Sequence, residues 1–203
     1  LFPSTTLFRS IRPATAGQYY VLTNYDETGK TYDQMLADLR GSSGIQSFRN
    51  TVKADLVGFL RSANGAGAAY CGMANLPDPP SSATSSQAYS VSNISCAVSN
   101  HSYAHETGHN LGLRHDRYVE SAFGKLQTKY NYGYSNVAKL RRSVMAYPQY
   151  CNSFGKNCTR VAYFSNPFRT VNGGVIGVNV GSSNPAYNAR RLNETRGIIA
   201  AYR

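Results

Sequence analysis

The pattern of apolar and polar residues along the first part of the chain predicts alternating strands and helices. Residues 17–25 alternate in the manner of a strand, and residues 53–60 form a short apolar run typical of a buried strand. Between them, residues 31–40 carry apolar side chains at helical spacing and end before Gly41. The resulting order of strand, helix and strand indicates an α/β fold.

The second part of the chain continues this pattern less regularly. Residues 75–86 are rich in Pro and Ser and predict a loop, whereas residues 88–98 predict another strand. Residues 185–203 predict a closing helix, whose apolar stripe consists of Leu192, Ile198, Ile199 and Tyr202.

Length and composition favour one globular domain. The chain has 203 residues, of which 41% are hydrophobic and 12% aromatic, so it can bury a substantial core. No run of about 18 apolar residues is present, and no membrane span is expected. Residues 1–10 fit neither a signal peptide nor the later pattern, so they are expected to be anomalous or disordered, and the domain is assigned to residues 11–203.

The four cysteines predict two disulfides, because none of them forms a CxxC pair. Three pairings are possible. We favour Cys71–Cys96 and Cys151–Cys158, since the short segment between the second pair contains Gly, Ser and Asn and can turn back on itself. Disulfides in turn favour a secreted, extracellular protein.

Residues 105–116, "HETGHNLGLRHD", hold three of the four histidines. On a helix, His105 and His109 lie one turn apart on the same face and can bind one ion. Glu106 lies beside the first of them and can take a proton from a water that zinc acidifies. The fourth histidine, His101, fits no position of this pattern and is expected to lie at the surface or behind the ligands.

A glycine lies between the second and third histidines of this segment. Gly112 lets the chain leave the helix through backbone angles that other residues resist, which brings His115 back as a third ligand. Three imidazoles and one water form a catalytic zinc site rather than a closed structural one. The pattern HExxHxxGxxH therefore predicts a hydrolase with one catalytic Zn²⁺ ion.

These residues resemble the zinc signature of the metzincin metalloendopeptidases, and residues 143–147, "SVMAY", resemble their Met-turn. The resemblance implies a metzincin-like (zincin) α/β fold: a twisted mixed, mostly parallel sheet, helices above the active-site cleft, and an irregular C-terminal subdomain closed by a helix. The upper subdomain would extend to about residue 115 and the lower would comprise residues 116–203. It further implies that Met145 lies beneath the ligands, that Asp116 is structural, and that Tyr147 is an extra ligand or oxyanion donor.

A wider resemblance covers nearly all of residues 18–203. Segments such as "YCGMANL", "SVMAYPQYC" and "RLNETRGIIAAYR" are together similar to the secreted bacterial peptidyl-Asp metallopeptidases. This resemblance implies a monomeric protease that cuts proteins or peptides before acidic residues. By comparison with that family, the first strand and helix, the signal and the propeptide are expected to be missing from this chain.

The charge distribution suggests how an acidic substrate is recognised. Residues 1–113 hold seven Lys/Arg and seven Asp/Glu, whereas residues 114–203 hold fourteen and three, so the net charge of +11 lies in the C-terminal part. In metzincins that part builds the pocket for the side chain after the cut. Candidate partners for a substrate carboxylate are Arg141, Arg142 and Arg160.

Two other functions are compatible with parts of the sequence. A pI near 9.6 and sixteen tyrosines would suit a nucleic-acid binder, but no nucleic-acid-binding module is recognisable and no such partner is expected. An inactive or truncated zinc-binding remnant that acts as a binding domain is the main alternative to an active protease.

Overall fold

The computed structural model describes residues 25–62, 70–125, 127 and 129–203. In this part the protein is a mixed α/β structure, which consists of two compact units. The first unit comprises residues 25–111 together with 195–203, and the second comprises residues 112–194. The segment 1–10 lies outside the described residues, as does the strand predicted at 17–25 apart from Tyr25.

Two helices open the first unit, α1 at Tyr32–Gly41 and α2 at Ser43–Thr51. A capping box starts α1, because the Gln34 amide donates to Thr31 Oγ1 (3.2 Å) and the Thr31 amide donates to Gln34 Oε1 (2.8 Å). The helix predicted at residues 31–40 is confirmed and includes Gly41. Its buried positions join the sheet in one apolar core, formed by Tyr32, Met35, Leu36, Leu39, Ile45, Tyr89 and Val91.

The sheet of the first unit has the described strands β1 (Val57–Arg61), β2 (Gly72–Ala74) and β3 (Tyr89–Asn93) in the order β1-β3-β2. β1 is parallel to β3, with Val57 opposite Tyr89, and β2 is antiparallel to β3, with Gly72 opposite Ser92. The sheet is therefore mixed. A 3₁₀ turn at Ser82–Gln87 follows the Pro-rich loop and leads into β3.

Two strand predictions need correction. The strand predicted at residues 53–60 starts only at Val57 and is half-buried, since Leu60 is 47% exposed. The strand predicted at residues 88–98 ends at Asn93, whose side chain accepts a hydrogen bond from the Ser95 amide (2.9 Å). This cap starts the short helix α3 at Ile94–Ala97, so a side-chain hydrogen bond overrides the apolar pattern.

Helix α4 spans Ser102–Asn110 and contains the first two motif histidines. Its last residue is fixed to the sheet, because the Asn110 side-chain amide donates to the carbonyls of Asn75 (2.9 Å) and Tyr89 (3.0 Å). The sheet thereby sets the position of the end of α4, from which the histidine segment continues.

The second unit consists of short elements. Strand β4 (Arg114–Asp116) pairs in parallel with β5 (Tyr132–Gly133), and helix α5 (Arg117–Ala122) follows β4 directly. A second small sheet has the order β6-β7-β8, with strands at Ser135–Asn136, Arg141–Arg142 and Thr159–Arg160, and helix α6 (Gln149–Asn152) lies between the last two in the chain.

A hairpin and a helix complete the fold. Strands β9 (Asn166–Val171) and β10 (Gly174–Ile176) are joined by Asn172 and Gly173, which both have positive φ as a two-residue hairpin turn requires. The predicted closing helix is α7 at Asn188–Ile199. Leu192, Ile199 and Tyr202 are buried as predicted, but Ile198 is 38% exposed and does not belong to the buried stripe.

Both favoured disulfides are present, Cys71–Cys96 in the first unit and Cys151–Cys158 in the second. The first joins the residue before β2 to α3, and the second closes the loop between α6 and β8. None of the helices in the described ranges is long and apolar enough to cross a membrane.

Candidate metal centre

Helix α4 places His105 and His109 on one face. The two rings are buried, and their centroids are 4.8 Å apart. Glu106 lies next to His105 on the same helix and is also buried, at 5% exposure. The helical spacing that the sequence predicts for these residues is therefore present.

The chain turns at Gly112 after α4 ends. Gly112 has a φ of 82°, in the left-handed region that glycine adopts without strain. Its carbonyl accepts a hydrogen bond from the Asn131 side-chain amide (2.6 Å), which fixes the turn. Three residues later His115 lies in β4.

The three histidines of this segment come together. One ring nitrogen from each of His105, His109 and His115 lies within 4.8 Å of the other two, so the group can hold a metal ion. Imidazole is a common ligand of divalent transition metals, and three imidazoles are a donor set of catalytic zinc sites that keep one position for water. The chemistry of the residues therefore fits a catalytic metal.

The side chain of Glu106 packs against the backbone of a glycine in the sheet. A Cβ atom added to Gly72 of β2 would lie 2.6 Å from Glu106 Cγ and 2.7 Å from its Oε1. Only a glycine leaves this space for the glutamate side chain. Sequence reasoning missed Gly72, because one glycine after a cysteine carries no signal of what it packs against.

Asp116 connects β4 to the segment around Met145. Its Oδ1 accepts from the Val119 amide (3.2 Å) and caps α5, and its Oδ2 accepts from the Tyr147 amide (2.8 Å). Burial raises the pKa of this carboxyl, although both backbone hydrogen bonds act in the opposite direction. The geometry is that of a structural residue that fixes two segments.

The segment 143–147 forms a tight buried turn. Met145 is fully buried, and the Ala146 amide donates to the Ser143 carbonyl (3.0 Å). Gly133 of β5 permits this packing, since a Cβ there would lie 2.7 Å from the Ala146 nitrogen. The ring of Tyr147 lies against that of His115, with centroids 4.5 Å apart and planes inclined by 37°.

A buried carboxylate that sequence reasoning missed lies on α5. Glu120 Oε1 is 3.1 Å from His115 Nδ1, and its Oε2 accepts from the Arg114 guanidinium at 2.9 Å. Burial alone would raise the pKa of Glu120, but the hydrogen bonds and charges of His115 and Arg114 lower it overall. An acidic residue shortly after a ligand histidine, on a helix with an Asp cap, is a signal that could have found it.

The three candidate arginines differ in position. Arg142 and Arg160 are opposite each other in the β7–β8 pair, and both donate to the Ala146 carbonyl, at 2.6 and 3.3 Å. Burial, together with the Arg160 charge, lowers the pKa of Arg142 to about 10. Arg141 instead donates to the Leu140 carbonyl (3.0 Å), so the structure brings two of the three arginines to the Tyr147 segment.

The imidazole triad, with the buried Glu106 on the same helix as two of its members, is a group that can hold a metal ion. The Reprolysin_5 family model, described as metallo-peptidase family M12, matches residues 8–165. The chain therefore belongs to metallo-peptidase family M12.

Three bacterial relatives, each named peptidyl-Asp metalloendopeptidase, are similar to this chain. The protein of Stenotrophomonas maltophilia is 34% identical over 91% of this chain, that of Xanthomonas campestris pv. campestris 32% over 91%, and that of Pseudomonas aeruginosa 28% over 87%. The chain spans only 41%, 40% and 30% of their respective lengths.

Solved structures with a similar fold include a chain of 21% sequence identity. A chain in a structure titled "Structure of a chaperone-substrate complex" aligns with a TM-score of 0.60 and 21% identity, over 88% of this chain and 26% of that one. This similarity supports the mixed α/β fold.

Proposed function

We propose that this protein is a secreted zinc-dependent endopeptidase of the metzincin type that cleaves peptide bonds on the N-terminal side of Asp. The observation that carries the proposal is the convergence of His105, His109 and His115, with the buried Glu106 on the same helix. The family assignment and the names of the relatives support a peptidase rather than an inactive zinc-binding remnant.

The roles of the residues follow from their chemistry. His105, His109 and His115 would hold zinc, which when bound supplies a Lewis acid that lowers the pKa of water and stabilises negative charge. Glu106 removes a proton from the attacking water and later gives it to the leaving amine. Met145 forms the apolar base of the turn below the ligand segment.

Tyr147 is assigned as an oxyanion donor. Its backbone amide donates to Asp116, and its ring lies against the His115 ring. The phenol ring is therefore next to one of the proposed metal ligands. A hydroxyl aimed at the developing negative charge stabilises the transition state more than the ground state.

The preference for Asp is assigned to Arg142 and Arg160. Two guanidinium groups that meet at the Ala146 carbonyl provide a positive, partly desolvated site beside Tyr147. Arginine can bind a carboxylate with two parallel hydrogen bonds, which gives both strength and direction. The relatives' names point to the same residue preference.

The two disulfides support secretion, because disulfides persist in oxidising compartments outside the cytosol. The bacterial origin of the relatives suggests a bacterial extracellular enzyme. We propose that it acts as a monomer on protein or peptide substrates that contain acidic residues.

Cleavage-site profiling tests the proposal. The protein is incubated with a mixed peptide library in the presence of zinc, beside a chelated sample and the Glu106→Ala variant. We expect cuts before Asp that both the chelator and the substitution abolish, with zinc still bound at one ion per chain in the variant. Zinc binding without any cleavage by the unsubstituted protein would favour the inactive remnant instead.

The arginine assignment has its own test. We expect Arg160→Met to lower kcat/KM for an Asp peptide about 10- to 100-fold relative to its Ala counterpart, because a charge-assisted hydrogen bond contributes about 1.5–3 kcal/mol. Arg141→Met removes an equal charge from the preceding strand, β7, and should leave the ratio unchanged. Equal effects of the two substitutions would contradict a specific role for Arg160.

A further inference from the structure

We propose that Glu120 is a positioning residue of the metal centre, which holds the His115 ring through Nδ1 so that Nε2 faces the ion. The inference rests on the proposed function, because it takes His115 to be a metal ligand. It adds to that function a residue outside the histidine motif and outside the Met-turn.

The carboxylate of Glu120 has separate partners for its two oxygens. Oε1 is 3.1 Å from His115 Nδ1, and Oε2 is 2.9 Å from the Arg114 guanidinium. Glu120 is only 3% exposed and Arg114 only 8% exposed, so water screens these interactions weakly. Arg114 thus fixes the direction in which the carboxylate meets the histidine ring.

The protonation of the ring follows from this contact. An ionised carboxylate can only accept hydrogen bonds, so Nδ1 of a neutral His115 must carry the proton and Nε2 must carry the lone pair. A metal ligand needs that lone pair, and a hydrogen bond to the other nitrogen also increases the basicity of the ligand.

The ring is restrained on a second side as well. Its face lies against Tyr147, with the ring centroids 4.5 Å apart, while its edge is held by Glu120. Rotation of the imidazole would break the edge contact and disturb the face contact together. His115 lies in a three-residue strand after a glycine turn, so these side-chain contacts fix its orientation where helix geometry cannot.

Zinc affinity tests this assignment directly. The zinc dissociation constant is measured by competition with a chelator for the unsubstituted protein, Glu120→Ala, Glu120→Gln and the control Glu194→Gln, which removes an exposed carboxylate. We expect Glu120→Ala to raise the dissociation constant 10- to 100-fold, as loss of such outer hydrogen bonds does in other sites. Glu120→Gln keeps an acceptor oxygen and should restore most of the affinity, and Glu194→Gln should change nothing.

A double variant protects the test against misfolding. Replacing the buried pair by Arg114→Met and Glu120→Met leaves no unpaired charge, a change that folded proteins often tolerate. Cobalt absorption spectra of this variant report the ligand geometry, and we expect a changed spectrum together with weaker zinc binding. Urea unfolding of the metal-free proteins shows which variants are folded.

The outcomes separate the two proposals. Folded Glu120→Ala, or the folded double variant with the same cobalt spectrum, that binds zinc as tightly as the unsubstituted protein would overturn the role of Glu120 and leave the protease intact. If the unsubstituted protein itself binds no zinc, the proposed function fails, and the role of Glu120 fails with it.

Discussion

Among individual residues, Gly72 and Glu106 pack so closely that the glycine leaves room for the glutamate side chain. The glutamate side chain passes so close to the Gly72 backbone that a Cβ atom would overlap its Cγ and Oε1, at 2.6 and 2.7 Å. The same Cβ would lie 2.7 Å from the Val91 carbonyl, so the backbone offers no room on the other side. The glutamate therefore has to move if the glycine gains a side chain.

Gly72→Ala should lower kcat without removing the metal. We expect a fall of about 10- to 100-fold, because a displacement of about 1 Å is enough to misplace a proton acceptor. The zinc dissociation constant should stay unchanged, since the three atoms nearest to the added methyl group belong to Glu106 and Val91 and not to a ligand histidine. Gly41→Ala is the matched control, as a Cβ there meets no atom within 4 Å. Unchanged kcat in folded Gly72→Ala would show that Glu106 does not depend on this space.

The histidine segment could be predicted from sequence because its geometry is local. Four residues of helix fix the relation of His105 to His109, and one glycine fixes the exit from the helix. Gly72 lies in a strand far from Glu106 in sequence, so only the folded sheet reveals its role. Glu120 is near His115 in sequence, but the hydrogen bond between the two side chains depends on the residue at which α5 begins. The Asp116 cap sets that residue.

At the scale of elements, β4 and α5 form one functional segment. Asp116 ends the strand and caps the helix. It also accepts a hydrogen bond from the amide of Tyr147, which lies 31 positions later in the chain. The strand supplies His115 and the helix supplies Glu120. Loss of Asp116 would therefore remove the cap of α5 and the hydrogen bond to the Tyr147 amide at once.

Asp116→Ala should destabilise the protein by about 2–4 kcal/mol, the sum expected for a helix cap and a buried hydrogen bond to a charged group. Urea unfolding of the metal-free protein measures this loss. Asp116→Asn keeps an amide oxygen for one of the two backbone donors and should cost less. A difference below about 0.5 kcal/mol between Asp116→Ala and the unsubstituted protein would contradict the bridging role.

Element boundaries show why the remaining sequence predictions were inexact. Apolar residues continue past Asn93, but the Asn93 side chain ends the strand by capping α3. Ile198 has the right spacing for a helix stripe and is still exposed, because burial depends on what packs against the last turn. Hydrogen-bonded caps and tertiary packing decide such cases, and a hydrophobic pattern contains neither.

At the scale of the whole molecule, charge is distributed very unevenly along the chain. Residues 114–203 contain fourteen Lys/Arg and three Asp/Glu, whereas residues 1–113 contain seven of each. For the proposed protease, such a field would raise the local concentration of acidic peptides before any specific contact forms. Salt weakens it over a Debye length of about 10 Å at 0.1 M.

The rate of cleavage of acidic peptides should therefore depend on salt. We expect kcat/KM for a peptide with several flanking Asp or Glu residues to fall about 3- to 10-fold between 0.05 and 0.5 M salt, because screening removes the long-range attraction. A peptide with the same Asp at the cut and neutral flanking residues should change much less. Equal salt dependence of the two peptides would show that the net charge of +11 does not steer substrates.

The bridge made by Asp116 also determines how the centre can move. Asp116 follows His115 directly in the chain and holds the Tyr147 amide at 2.8 Å, while the two rings lie against each other. A displacement of His115 that keeps these two contacts therefore has to move Tyr147 as well. These two contacts set the distance between His115, the proposed third ligand, and Tyr147, the proposed oxyanion donor. Thermal motions that move residues 115–120 and 143–147 together leave this distance unchanged.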